Sequence, residues 1–223
     1  MTFDCYGTLV DWEGGAGAFL YDLSLRNGER CPRPGRELRD RWEAIQFELL
    51  RGEYMPYRDV LARSLREWMD ERGYPWRDEE GEALLRSMRS WQPFPDTRPA
   101  LERARAAGMR LAIVSNTDRD IVEHTVHHIG VPFDFVITAQ DARAYKPADA
   151  VFEYALERLD TPPGDILHVA FGFKYDIAPA GRFGMGTAWV NRHAEPAPGD
   201  ARFDHEWRDL WPLANLAEAP RSD

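Results

Sequence analysis

A chain of 223 residues suffices for one large domain or a core with an insert, and 43% hydrophobic residues can fill such a core. A formal net charge of −10, with the arginines scattered among glutamates, argues against a nucleic-acid or anionic-membrane partner. No apolar run approaches a membrane span, no basic-then-apolar leader precedes Asp4, and Cys5 and Cys31 make no disulfide framework, so a cytoplasmic protein is expected.

The chain opens on β-prone residues. Thr2, Phe3 and Cys5 surround a single carboxylate, Asp4, and Gly7 follows, which predicts a short buried strand ending in a tight turn. An unpaired buried carboxylate is costly, so an aspartate at this place is either paired or catalytic. From residue 12 the apolar period becomes helical and stays so to residue 91, with helices expected over residues 12–25, 37–50, 57–72 and 80–89. Gly14, Gly15 and Gly17 are expected to form a flexible hinge into the first of these. Trp12, beside that hinge, can line an apolar pocket, whereas Trp42, Trp68 and Trp91 read as packing.

From residue 93 the chain alternates. Helix 97–107, strand 110–114, helix 120–129, strand 135–138, helix 148–159, strand 166–170, helix 179–183 and strand 187–190 form the pattern of right-handed βαβ units. Residues 203–207 are expected to add an edge strand and residues 213–217 a closing helical turn. His124 and His128, four apart on a helix, read as a solvated face and not as a metal pair. The predicted fold class is α/β: a Rossmann-like parallel sheet flanked by helices with an inserted helical cap domain. The core would comprise residues 1–11 and 92–223, the cap residues 12–91.

Three later stretches carry chemistry. Ser115-Asn116, at the end of an apolar strand, can offer hydroxyl, amide and backbone donors to an anionic oxygen near Asp4. Lys146, just before a helix, can hold Asp4 ionised and oriented, and Asp176 follows the strand at residues 166–170. Asp4-Cys5-Tyr6-Gly7-Thr8, Ser115-Asn116, Tyr145-Lys146-Pro147 and the run from His168 to Asp176 resemble, in order, the four motifs of the haloacid dehalogenase superfamily. The first is similar to the D-x-Y-G-T of its 2-haloacid dehalogenase branch. The resemblance implies Asp4 as nucleophile, Lys146 and Asp176 as its catalytic partners, and Tyr6, Thr8, Trp12, Ser115 and Asn116 around the substrate. It further implies a cofactor-free hydrolase, a homodimer, that opens a carbon–halogen bond of a small organic acid through an aspartyl ester. Tyr6 agrees with this reading. It stands where the superfamily's phosphatases carry a general acid, and a departing halide needs no proton.

The sequence departs from the pattern at several places. Phe171 and Gly172 replace an acid and a serine of the phosphatase fourth motif, and the dehalogenases' own serine and asparagine fall at or near Ala170 and Gly172. Their cap arginine after a tryptophan is Glu43 after Trp42, and the tyrosine six residues beyond the motif lysine is Phe152. An anionic substrate with Asp4 and Asp176 would set −3 against the +1 of Lys146, so a cap arginine, Arg51 or Arg58, is expected to help. Two other classes stay open. One is a phosphatase holding Mg2+ on Asp4, the Tyr6 carbonyl and Asp176; the other is a non-catalytic ligand-binding relative.

Overall fold

Six strands, all parallel, form one sheet in the order β3-β2-β1-β4-β5-β6. They are β1 (Thr2–Phe3), β2 (Ala112–Ser115), β3 (Phe135–Thr138), β4 (Leu167–Ala170), β5 (Gly186–Val190) and β6 (His205–Trp207). The structure is a computed structural model and describes residues 1–216. Every residue of β1 and β2 is buried, which is why β2 reads as an uninterrupted apolar run. Thr2 lies opposite Ala112 on one side and His168 on the other, and Phe3 opposite Ile113 and Val169. From β1 the chain winds outward through β2 to β3, then crosses back to build β4, β5 and β6 on the other side. The carboxyl ends of β1 and β4 therefore flank the switch point, the crevice where open α/β sheets take their ligands.

Between β1 and β2 the chain first makes four helices, α1 (Trp12–Arg26), α2 (Gly35–Leu50), α3 (Tyr57–Asp70) and α4 (Glu79–Met88). Leu20 and Leu23 of α1, Ile45 of α2, Leu65 of α3 and Leu84 of α4 meet in one apolar cluster. Two buried indoles satisfy their N–H groups inside it: Trp42 Nε1 donates to Ser64 Oγ at 2.9 Å and Trp68 Nε1 to Leu38 O at 3.0 Å. The chain leaves and rejoins the sheet through neighbouring strands, Asp11 N donating to Gln92 O at 2.9 Å beside an antiparallel Val10–Pro93 bridge.

The expected glycine hinge is instead helix. Asp11 caps α1, accepting from Gly14 N at 2.9 Å, and Gly14, Gly15 and Gly17 all lie within the helix. Their smallness serves packing: a Cβ on Gly15 would stand 2.3 Å from Trp91 Cδ1, and one on Gly17 3.1 Å from the Gly35 carbonyl carbon.

The remaining helices are α5 (Thr97–Ala106), α6 (Arg119–Ile129), α7 (Ala139–Ala142), α8 (Asp149–Leu159), α9 (Ala178–Arg182) and α10 (Trp211–Leu216). His124 and His128 are exposed on α6, as a solvated face requires. The sequence pattern does not predict α7, a single turn fixed by a reciprocal capping box between Thr138 and Asp141 and too short to show a period. Ala217, the end of the expected closing turn, lies outside the described residues. No described helix is long and apolar enough to cross a membrane.

Candidate active site

Asp4 emerges from β1 with its backbone N–H donated to Val169 O at 3.1 Å, and only 6% of the residue is exposed. Thr8 Oγ1 donates to its Oδ2 at 2.8 Å and itself accepts the Phe171 backbone N–H at 2.9 Å. Lys146 Nζ donates to Asp4 Oδ1 at 2.9 Å, to Val114 O at 2.9 Å and to Asp176 Oδ1 at 2.5 Å. An ammonium has three hydrogens, so the donors of Lys146 are all engaged by the protein.

The carboxamide of Asn116 grips the Lys146 backbone from both sides, Nδ2 donating to Lys146 O at 3.0 Å and Oδ1 accepting from Lys146 N at 2.7 Å. Sequence reasoning casts Asn116 as an anion-binding donor; in the fold its contacts position the lysine. Sequence reasoning also misses His168. Its Nε2 lies 3.1 Å from Asp176 Oδ1 and its Nδ1 2.8 Å from Thr2 Oγ1. A carboxylate only accepts, so the network assigns the proton to Nε2 and leaves Nδ1 to accept from Thr2. The signal that could have found it is register, since Thr2 and His168 are paired residues of adjacent strands.

Burial acts on all three charges. It pushes the Asp4 carboxyl above its usual range, aided by the charge of Asp176 and opposed by Lys146 and Thr8. Burial would also raise Asp176, yet the Lys146 charge and the His168 hydrogen bond outweigh it and hold Asp176 low. Burial would lower Lys146, and the two carboxylates raise it. Lys146 and Asp176 thus form a firm ion pair, with Asp4 the second acceptor.

The departures in the fourth motif have a geometric reason. After β4 the chain makes a π-helical turn, Phe173–Ile177, with Asp176 N and Ile177 N both donating to Gly172 O, at 2.9 and 3.3 Å. A Cβ at position 172 would stand 2.7 Å from Asp176 Oδ2, so glycine lets this carboxylate fold back beneath Lys146. The Phe171 ring packs on Gly7, whose φ of 94° and bare Cα give it room. These residues do not suit Mg2+, which wants near-octahedral oxygen ligands. Asp4 and Asp176 are bridged by the ammonium of Lys146, a phenylalanine occupies the position of the further acid, and no cluster of three His, Cys, Asp or Glu side chains among the described residues could hold a metal.

Above Asp4 lies a cavity of about 110 Å3. Asp4, Ser115, Asn116, Lys146 and Asp176 form its floor, and Trp12, Trp42, Phe47, Tyr57 and Trp91 much of its walls. Trp12 lines this pocket, and so do Trp42 and Trp91, which the sequence reads as packing. Tyr6 also borders it, but its hydroxyl hydrogen-bonds Thr125 Oγ1 at 2.8 Å, and burial holds the phenol far above its usual pKa. A larger hollow of about 990 Å3 near Phe173, Arg182 and Phe203 contains none of the motif residues except those of the π-helical turn.

The expected cap arginine is absent from the cavity. Arg58 pairs with Asp118 at 3.4 Å and Asp120 at 2.7 Å, and Arg51 is exposed. Arg39 pairs with Glu13 at 2.8 Å and Asp40 at 2.5 Å, and Arg41 with Glu71. Glu43 of α2 does line the cavity, and burial raises its carboxyl to about 7.

A family model described as haloacid dehalogenase-like hydrolase matches residues 1–184. Haloacetate dehalogenase H-2 of Moraxella sp. is 29% identical over 200 residues, covering 86% of this chain and 85% of that one. An (S)-2-haloacid dehalogenase of Pseudomonas putida is 28% identical over 223 residues, covering 96% and 94%. The crystal structure of the L-2-haloacid dehalogenase RSc1362 superposes with a TM-score of 0.86 at 26% identity, over 98% of this chain and 97% of that one.

Proposed function

Since the chain belongs to the haloacid dehalogenase-like hydrolases, we propose that it hydrolyses the carbon–halogen bond of a small 2-halogenated organic acid or acid derivative. One Asp4 carboxylate oxygen attacks carbon from behind the halogen; the carbon–halogen bond breaks and the halide leaves with the electron pair. Water then adds to the Cγ of the resulting aspartyl ester and releases the hydroxylated product with Asp4 restored. Lys146, 2.9 Å from Asp4 Oδ1, stabilises the oxyanion of that second step. The water's proton passes to Asp176, a reading supported by its carboxylate lining the same cavity as Asp4; its hold by Lys146 and His168 makes it a weak base.

The observation that carries this reading is a buried carboxylate, oriented by Thr8 and Lys146 at the floor of a small apolar-walled cavity, with Tyr6 at the position where the superfamily's phosphatases carry their general acid. The Tyr6 hydroxyl is bound to Thr125 and titrates too high to protonate a leaving alcohol. Residues 12–91 act as the cap that shields this step from bulk water, and the enzyme works on its small substrate without a metal or other cofactor, in the cytoplasm and as a homodimer. The test is halide release from 2-bromopropionate, 2-chloropropionate and their amides, with a chelator present. Wild-type protein should release halide catalytically and Asp4→Asn should release none. Equal release by the two proteins would remove Asp4 from the reaction, and dependence on added magnesium would return the phosphatase-type chemistry.

A further inference from the structure

Asp4, Asp176 and Glu43 bring three carboxyl groups to the cavity, and among the described lining residues Lys146 is the one cation. Its three N–H groups already serve Asp4, Asp176 and Val114, so it has no donor left for a carboxylate on the substrate. The arginines of α2 and α3 nearest in sequence are turned to Glu13, Asp40, Glu71, Asp118 and Asp120. Glu43 itself has no ion-pair partner among the described residues, and the wall around it is aromatic. Burial, with Glu13, Asp40 and Glu195 adding to it and Arg39 opposing, places its titration near pH 7, so it is anionic in mildly alkaline solution.

We infer that Glu43 sets the charge of the substrate: among small 2-halogenated acyl compounds the cavity takes the neutral amide, whose N–H donates to Glu43, in preference to the free carboxylate. A carboxylate would enter beside three acids with no free cation among the described lining residues, whereas an amide adds no charge and supplies a charge-assisted hydrogen bond to a group that lacks one. The inference rests on the reaction assigned to Asp4, and its test separates the two.

At pH 8.5, kcat/KM for 2-chloropropionamide is compared with that for 2-chloropropionate in wild-type protein, Glu43→Gln and Glu43→Arg, with Asp4→Asn as blank. Wild-type protein should favour the amide by at least tenfold; Glu43→Gln should shrink that ratio tenfold or more, and Glu43→Arg should invert it. Preference for the carboxylate in wild-type protein, or a ratio that Glu43→Gln leaves unchanged, would overturn the inference while Asp4-dependent release keeps the reaction standing. If neither compound is turned over, the assigned reaction fails. Binding of propionamide against propionate, followed by ligand NMR on wild-type protein and Glu43→Gln, then decides the role of Glu43 alone: tighter propionamide binding that depends on Glu43 sustains it, and equal binding ends it.

Discussion

Glu43 leaves a mark on stability that is independent of catalysis. Its carboxyl titrates at about 7 in the folded protein against an ordinary 4.5, so the folded state binds more protons than the unfolded state between those values. Stability must therefore fall as pH rises from 4.5 to 7, with the penalty complete above 7. Each tenfold gain in proton affinity on folding corresponds to about 1.4 kcal/mol; the half-buried side chain keeps some solvent contact, which reduces the total to about 1–2 kcal/mol. Urea unfolding of Glu43→Gln should accordingly show about that much extra stability over wild type at pH 8 and none at pH 4.5. Equal midpoints at both pH values would mean that the carboxyl reaches water freely. At this scale Asp4 stands out in the sequence itself, because a lone acid after a β-prone run is a local signal, whereas Thr8, Lys146 and Asp176 are singled out by their resemblance to the family's motifs. Asn116 clamping Lys146 and His168 reaching Asp176 are not legible along the chain, since each depends on a partner at least eight residues away; the resemblance marks position 43, but not that Glu43 stands there without an ion-pair partner among the described residues.

Helices α1 and α2 meet where two glycines touch. A Cβ on Gly35 would stand 2.8 Å from Gly17 O, a backbone atom that cannot swing aside. Gly35→Ala should therefore cost about 1–3 kcal/mol from overpacking, offset by up to about 1 kcal/mol of better helix propensity. Gly164→Ala, with no atom within 4 Å of its would-be Cβ, serves as control and should be near neutral. Chemical denaturation of both variants checks this, and equal stabilities would show that the helices separate without cost. The glycine cluster also shows why sequence misleads at the scale of an element. Gly14, Gly15 and Gly17 carry the composition of a hinge, but the neighbours in space of Gly15 and Gly17, Trp91 and Gly35, are what demand small residues there, and those contacts are invisible along the chain. The strands are legible for the opposite reason: a parallel strand buried on both faces must be apolar throughout, whatever lies beyond it.

Across the whole molecule the sheet order decides which distant residues become neighbours. β1 lies between β2 and β4, so groups at or beyond the ends of three separate strands, Asp4, Ser115 and Asp176, converge on one crevice together with Lys146. The alternation of strands and helices foretells that convergence; the rotation of α2, which turns Glu43 to the wall and Arg39 and Arg41 away from it, is set by tertiary packing. The complete engagement of the site's basic groups has a consequence for the enzyme's survival. A 2-halogenated acyl compound is an alkylating agent, and any nearby lone pair is a potential site of self-inactivation. Lys146 is kept protonated with its donors engaged, both ring nitrogens of His168 are hydrogen-bonded, and burial raises the Cys5 thiol well above its usual range, next in sequence to Asp4. Intact-mass and peptide analysis after prolonged turnover should find adducts on the exposed Cys31 and none on Cys5, His168 or Lys146. With the nitrogen and sulfur nucleophiles around the site held back, alkylation falls to a carboxylate, and the ester that Asp4 forms is an adduct that water can undo.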